Sequence, residues 1–441
     1  MAPIPNSETP FQNSIISTVV PATPREDQNG AFHLTSMDLL MKLHYIRPVY
    51  FFTAEAVQGL SISDLKKPMF TLLDMYSHVS GRIRRSESGF PFIKCNDAGV
   101  RIAESRCEIT LREWFHENGV YSVHGLVHDH VLGPHLSFSP LVFVKFTWFK
   151  CGGLCVGLSW AHILGDAFSA FNFITKWSQI LVGHTPPKSL HTPNIKEPKF
   201  PPSYNIYENP ISIKKATVVG EYWLGANNID VATHSFHFTF KQLQHLVTST
   251  SNQSQITITS KNTSYFEIIS AMLMKSIAHI KGEFGTKVLT ICTNNNSNHD
   301  ENEFPNNGLV LSRIEADLEA DISELAKLIS EKKMVENHIM EKLIEKDEGK
   351  EDYIVYGANL TFVDLEEAEI YEVKLNGHKP IMANCTIHGV GDEGVVLVLP
   401  APEDIDDGDG GGGNGRIVTV SLPEKELNQL KDKIGKEWSI V

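Results

Sequence analysis

The chain has 441 residues, 41% of them apolar and 21% charged, and a net charge of −14. That length asks for more than one core, and the balance is that of an ordinary soluble globular protein. The acidic excess excludes a nucleic-acid partner gripped through its phosphates, and broad adhesion to anionic membranes. Six scattered cysteines form no C-x-x-C pair, which favours reduced core thiols and a reducing compartment. The opening MAPIPNSETPFQNS lacks a basic stretch leading into an apolar one, so no signal peptide is expected. No apolar run approaches the roughly 18 residues a spanning helix needs.

In chain order, the β-branched run Ile15 to Val20 predicts a strand, and Thr35 or Ser36 caps a helix over Asp38 to His44. A strand follows at Pro48 to Phe52, then a helix from Ser63 to Tyr76 and the turn Val79-Ser80-Gly81-Arg82. Phe92 to Asn96 with Gly99 and Val100 reads as a hairpin. Leu154 to Trp160 reads as a buried strand, a short turn carries His162 and Asp166, and an apolar-periodic helix spans Ala167 to Leu181. The proline-rich stretch from Thr185 to Pro210 predicts an extended crossover, since proline donates no backbone hydrogen bond. Beyond it lie strands near Val231 to Phe240, at Asn359 to Val363 and at Gly394 to Leu399, with a helix from Tyr265 to His279. Asp321 to Glu351 is charged with apolar residues at helical spacing and predicts a pair of solvated surface helices. The glycine-rich, acidic Glu403 to Gly415 predicts a loop between strands, without the spacing of a calcium-binding hand.

A histidine at a strand-to-helix corner can be held rigidly while facing a cavity, which suits a general base. The H-x-x-x-D spelling alone is weak, because among 19 histidines about one such match arises by chance. His388 to Asp392 is a second instance, in which the two residues flank Gly389 and Gly391 before a strand and read as turn residues. A metal at His162 and Asp166 would need a third ligand that no recognisable motif supplies, so none is expected. No nucleophile elbow and no dinucleotide or phosphate-binding glycine fingerprint occurs. The aromatics Phe143, Phe146, Trp148, Trp160, Phe168, Phe171 and Phe173 read as core before they read as the wall of an acyl tunnel.

The setting VFVKFTWFKCGGLCVGLSWAHILGD resembles the H-x-x-x-D region of the BAHD acyl-CoA-dependent acyltransferases of plants. LTSMD, the Val79 to Arg82 turn, IKCNDAGV and SYFEIISAMLMKSIAHI are similar to further segments of that family, so the resemblance covers nearly the whole chain. It implies an α/β fold of two chloramphenicol-acetyltransferase-like domains, each a mixed sheet flanked by helices, with a channel between them. The halves would be 1–184 and 215–441, joined by the crossover 185–214. His162 would be the general base, and Asp166 a brace turned toward an arginine. The family's second signature, D-F-G-W-G, is replaced at all five positions by Lys374, Leu375, Asn376, Gly377 and His378. The arginine that pairs with its aspartate is matched here by Asn294. Losing both partners of a buried ion pair can be nearly neutral, whereas losing one costs roughly 3 to 5 kcal/mol. Ala167 stands where the catalytic members usually carry glycine, and an alanine does not readily take positive φ.

HVLGPHLSFSPLVF, YGANLTFVDLEE and TIHGVGDEGVVLV are similar to the Eceriferum and Glossy type of BAHD-like protein, in which the first motif is kept and the second lost. That resemblance implies a part in very-long-chain acyl elongation for cuticular wax, with a 3-ketoacyl-CoA synthase as partner. It implies a cytosolic chain peripheral to the endoplasmic reticulum, with a nuclear presence left open. Acyl-CoA is then a substrate or ligand, and no tightly bound cofactor is implied. Three functions stay open: an elongation partner with little or no catalysis, a working O- or N-acyltransferase, and an interaction module with a vestigial site. His162 is accordingly a base or a structural histidine, and His378 a replacement base or a loop residue.

Overall fold

The computed structural model describes residues 10–12, 14–25, 30–185, 209–224, 230–251, 264–294, 304–331, 333–402, 415–438 and 440. Most of the crossover, and the acidic glycine-rich stretch up to Asn414, lie outside the described residues.

The first sheet has six strands in the order Ile15–Val19, Val100–Cys107, Val142–Phe149, Leu154–Ala161, Tyr45–Phe52 and Met382–His388. Only the pairing of Val100–Cys107 with Val142–Phe149 is parallel. Every residue of Tyr45–Phe52 and Leu154–Ala161 is buried, because both faces of these central strands are covered; hence their near-continuous apolar spelling. The helices Ile62–Met75 and Ala167–Leu181 pack on each other over one face. The second sheet runs Val231–Phe238, Arg416–Pro423, Val395–Pro400, Thr361–Asp364, Thr286–Asn294, Leu309–Asp317 and Met334–Val335. Helices Tyr265–Lys281, Ile322–Glu331 and Glu424–Trp438 share its core. This is the predicted α/β fold of two sheets, each flanked by helices.

The halves are not separate in sequence. Met382–His388, from the second half, pairs antiparallel with Tyr45–Phe52 and so completes the first sheet. Lys42, 5% exposed, forms an ion pair of 2.6 Å with Asp352, 4% exposed, and donates to the carbonyls of Gly349 and Glu351. Stranding either charge here is costly, so the pair ties the seam firmly.

Several expectations are adjusted by tertiary packing. Thr35 is the N-cap, in a capping box with Asp38, but the helix closes at Leu40 and the chain turns through Met41 to His44 into the strand at Tyr45. Phe92 to Asn96 and Val100 do not form a hairpin with each other. Pro91–Lys94 pairs with Arg82–Arg85 and Ala31–His33, while Val100–Cys107 joins the main sheet. Gly99 makes that switch: its φ is +76°, and a Cβ there would stand 2.2 Å from the Val19 carbonyl. Residues 321–351 form the helices Ile322–Glu331 and Asn337–Asp347, with the short edge strand Met334–Val335 between them.

Candidate functional site

The buried strand Leu154–Ala161 delivers His162 into a single tight turn, His162–Leu164, and Asp166 then caps the helix Ala167–Leu181. Positive φ falls on Gly165, at +147°, where a Cβ would lie 2.9 Å from the Asn306 amide nitrogen. Ala167 is the first helical residue, so the corner forms without a glycine there.

The Asp166 carboxylate accepts from the Ser169 amide at 3.1 Å and from the Gly308 amide at 3.2 Å, and its own amide donates to the Asn306 carbonyl at 3.0 Å. These bonds tie the corner to backbone groups of Asn306 and Gly308 in the second half of the chain. Asn307 completes the clamp, its Nδ2 donating to Asp38 Oδ1 at 2.8 Å and to the His162 carbonyl at 3.0 Å.

His162 is fully buried, and its Nε2 lies 2.9 Å from the hydroxyl of Tyr356. Burial lowers its pKa from 6.5 to about 4, so the imidazole is neutral at physiological pH. Burial also pushes the Tyr356 phenol well above its ordinary range, so that hydroxyl keeps its proton. Placing the ring proton of His162 on Nδ1 lets the Tyr356 O–H donate to Nε2. A second buried imidazole, His44, adjoins them: its ring centroid is 5.0 Å from Tyr356 and 6.4 Å from His162. Its Nε2 accepts from the Val355 amide at 3.0 Å, its carbonyl accepts from the His162 amide, and burial lowers its pKa to about 3.

A cavity of about 960 Å³ lies between the halves, lined by residues including Arg47, Tyr121, Val123, Ala232, Thr233 and His388. Neither His162 nor Asp166 is among its lining residues. His162 is instead fully buried and off this wall, with its Nε2 taken up by the Tyr356 hydroxyl. Within the cavity wall Arg47 pairs with Asp129 at 2.8 Å. Burial holds His388 near a pKa of about 4. The aromatics named from sequence are not on this wall: Phe146, Trp160 and Phe173 are fully buried core, and Phe143 stacks on His128 at 4.2 Å. Among the described residues, no group of three or more histidines, cysteines or carboxylates is placed to hold a metal ion.

The stretch Lys374 to His378 is a local hairpin. Leu375 and His378 exchange backbone hydrogen bonds of 3.0 and 2.9 Å, and Asn376 and Gly377 between them have φ of +48° and +83°. Asn-Gly is the pair such a turn prefers. Leu375 is buried in the core, whereas Lys374, Asn376, Gly377 and His378 are exposed. The Lys374 amide donates to Ser178 and Asn376 to the Gln58 carbonyl, so the turn rests on the first half. Asn294 ends its strand opposite Leu309.

His44, Asn307 and Tyr356 are the site residues that sequence reasoning passed over. Their only trace was the NNG spelling and the tyrosine opening YGANLTFVDLEE; no periodicity marks a contact between residues so far apart.

Comparison with known proteins agrees with this geometry. The Transferase family matches residues 14–436. The chain is 42% identical over 439 residues to Protein ECERIFERUM 2 of Arabidopsis thaliana, across 97% of this chain and 98% of that protein. Against Protein ECERIFERUM 26 of the same plant, identity is 35% over 431 residues, across 97% and 96%. Vinorine synthase superposes with a TM-score of 0.66 at 18% identity, across 95% of this chain and 96% of that one. The F. graminearum protein TRI101, solved with coenzyme A and deoxynivalenol, gives 0.68 at 12% identity, across 93% and 98%. These two likenesses speak for the fold alone. With the family model matching residues 14–436 and the ECERIFERUM proteins matched over nearly their whole length, the chain belongs to the BAHD transferase family, within its Eceriferum type.

Proposed function

We propose that this chain promotes very-long-chain fatty acyl elongation for cuticular wax, alongside a 3-ketoacyl-CoA synthase of the elongase, and that it needs no proton transfer by His162. One observation carries the reading. The cavity between the halves has a volume of about 960 Å³, a size that holds a sizeable ligand, while His162 is fully buried, bonded to Tyr356 and absent from its wall. The similarity to two Arabidopsis ECERIFERUM proteins supports the same direction. In this reading the halves 1–184 and 215–441 form the walls of an acyl-binding cleft. The chain works from the cytosolic side, peripheral to the endoplasmic reticulum. Among the described residues no helix is long and apolar enough to cross a membrane, so attachment runs through the partner.

Co-expression with a plant condensing enzyme in yeast tests this, with acyl chain lengths read by gas chromatography. The parent chain shifts the profile to longer acyl groups, and Ala232→Trp, which fills the cavity, reduces that shift. An unchanged profile with every condensing enzyme tried removes the proposal. If Ala232→Trp retains the full shift, the chain acts as an interaction module instead.

A second reading, acyl-CoA-dependent O- or N-acyl transfer with His162 as general base, draws on a specific feature. A neutral Nε2 hydrogen-bonded to a hydroxyl is how a base holds an acceptor before transfer. Purified chain releasing CoA from a thioester in the presence of an alcohol or amine would favour it.

A further inference from the structure

The hydroxyl at His162 Nε2 belongs to the protein, and its backbone is pinned from three directions. The Val355 amide donates to His44 Nε2 at 3.0 Å, the Gly391 amide donates to the Tyr356 carbonyl at 2.8 Å, and the Glu393 amide to the Gly357 carbonyl at 3.2 Å. Gly357, at φ +83°, packs backbone against backbone on Gly391. A Cβ on the first would lie 2.5 Å from the Gly391 carbonyl oxygen, and one on the second 2.6 Å from that of Gly357. Gly389, at φ +84°, comes equally close to the chain just before the strand Tyr45–Phe52, since its Cβ would stand 2.4 Å from the Leu43 carbonyl. YGANLTFVDLEE and TIHGVGDEGVVLV, separate in sequence, are thus one assembly wrapped around His44, and what it presents to His162 is Tyr356.

We propose that Tyr356 is a built-in stand-in for an acceptor alcohol: its hydroxyl occupies the place at His162 Nε2 that a substrate hydroxyl would take. The inference rests on the helper reading above and gives it a cause, since a base already bonded to the protein's own hydroxyl has no acceptor to activate. Tyr356 is itself a poor nucleophile there, because burial keeps its proton in place. With the ring removed, an incoming alcohol can hydrogen-bond Nε2. That nitrogen takes its proton as the oxygen adds to the thioester carbonyl. The carbon–sulfur bond then breaks and the proton passes to the departing thiolate, giving an ester and free CoA.

The test uses purified Tyr356→Gly and Tyr356→Ala with oleoyl-CoA and 1-octanol, measuring released thiol and octyl ester. The expected result is ester formation about 10²-fold above the parent, abolished when His162→Gln is added. Folded variants that both stay at the parent's rate would overturn the proposal, as would a parent already as fast as they are. Tyr356→Phe guards against misfolding, because it keeps the ring and removes only the O–H. In a ¹⁵N-histidine spectrum its His162 Nε2 signal, assigned with His162→Gln, should move as the hydrogen bond is lost, and an unmoved signal would contradict the proposal. The yeast chain-length assay separates this inference from the reading it rests on, since ester formation by the opened variants and the elongation effect of the parent are read independently.

Discussion

The corner at His162 and the turn at Lys374 to His378 are built in opposite ways. The corner is buried and assembled from distant segments: Asp38, His44, Asp166, Asn307 and Tyr356 all meet there. The turn is mostly exposed and closes on itself through two backbone hydrogen bonds and an Asn-Gly pair. A segment whose shape is set by its own backbone can lose every signature side chain and still fold. A segment whose polar groups answer one another across the two halves cannot, because each deletion strands a buried partner. Retention of His162 therefore follows from structure as readily as from catalysis.

The contrast can be broken at several points. Lys42→Met, at the same seam, leaves Asp352 buried without its cation and should cost about 3 to 5 kcal/mol in chemical denaturation. Asp166→Ala removes the cap of the helix Ala167–Leu181 and the acceptor of the Gly308 amide, and should cost about 2 to 3 kcal/mol. Acid should act through the corner and not the turn. Folding lowers the His162 pKa from 6.5 to about 4, so between those values the unfolded chain takes up a proton that the folded chain refuses. Stability present above pH 6.5 is then lost as the pH falls, about 2 kcal/mol from this residue by pH 5. Denaturation midpoints of the parent and His162→Gln should converge across that interval. In the turn, Gly377→Ala meets open space but a φ of +83°, so the cost should be only about 1 kcal/mol. His378→Ala should change stability by less than about 0.5 kcal/mol. A large loss there would make the turn more than a local hairpin.

Legibility in the sequence follows the same divide. The capping residue Thr35, the helix Ile62–Met75, the strand Leu154–Ala161 and the amphipathic pair after Asp321 were readable because cap chemistry and apolar period are local signals. The end of the first helix at Leu40, the partner of Pro91–Lys94 and the loan of Met382–His388 to the first sheet were not, since long-range pairing decides them. The site divides likewise. His162 and Asp166 drew notice through their spacing and setting, and Gly165 stood between them unremarked. The partner of His162 was invisible, because a tyrosine 194 positions away carries no mark of the ring it will meet. Even the group-specific spellings around Tyr356 and Gly391 say only that something is kept there; the close approach of the two glycine backbones shows what it is.

The measurement that bears most directly on the central claim is the yeast chain-length profile obtained with His162→Gln beside a condensing enzyme that the parent chain assists. Glutamine can still hydrogen-bond the Tyr356 hydroxyl but cannot serve as a base. The account predicts the same shift toward longer acyl groups as the parent gives. A profile that falls back to that of the condensing enzyme alone, with the variant folded and expressed at the parent's level, would contradict it and make His162 the working base of an acyltransferase.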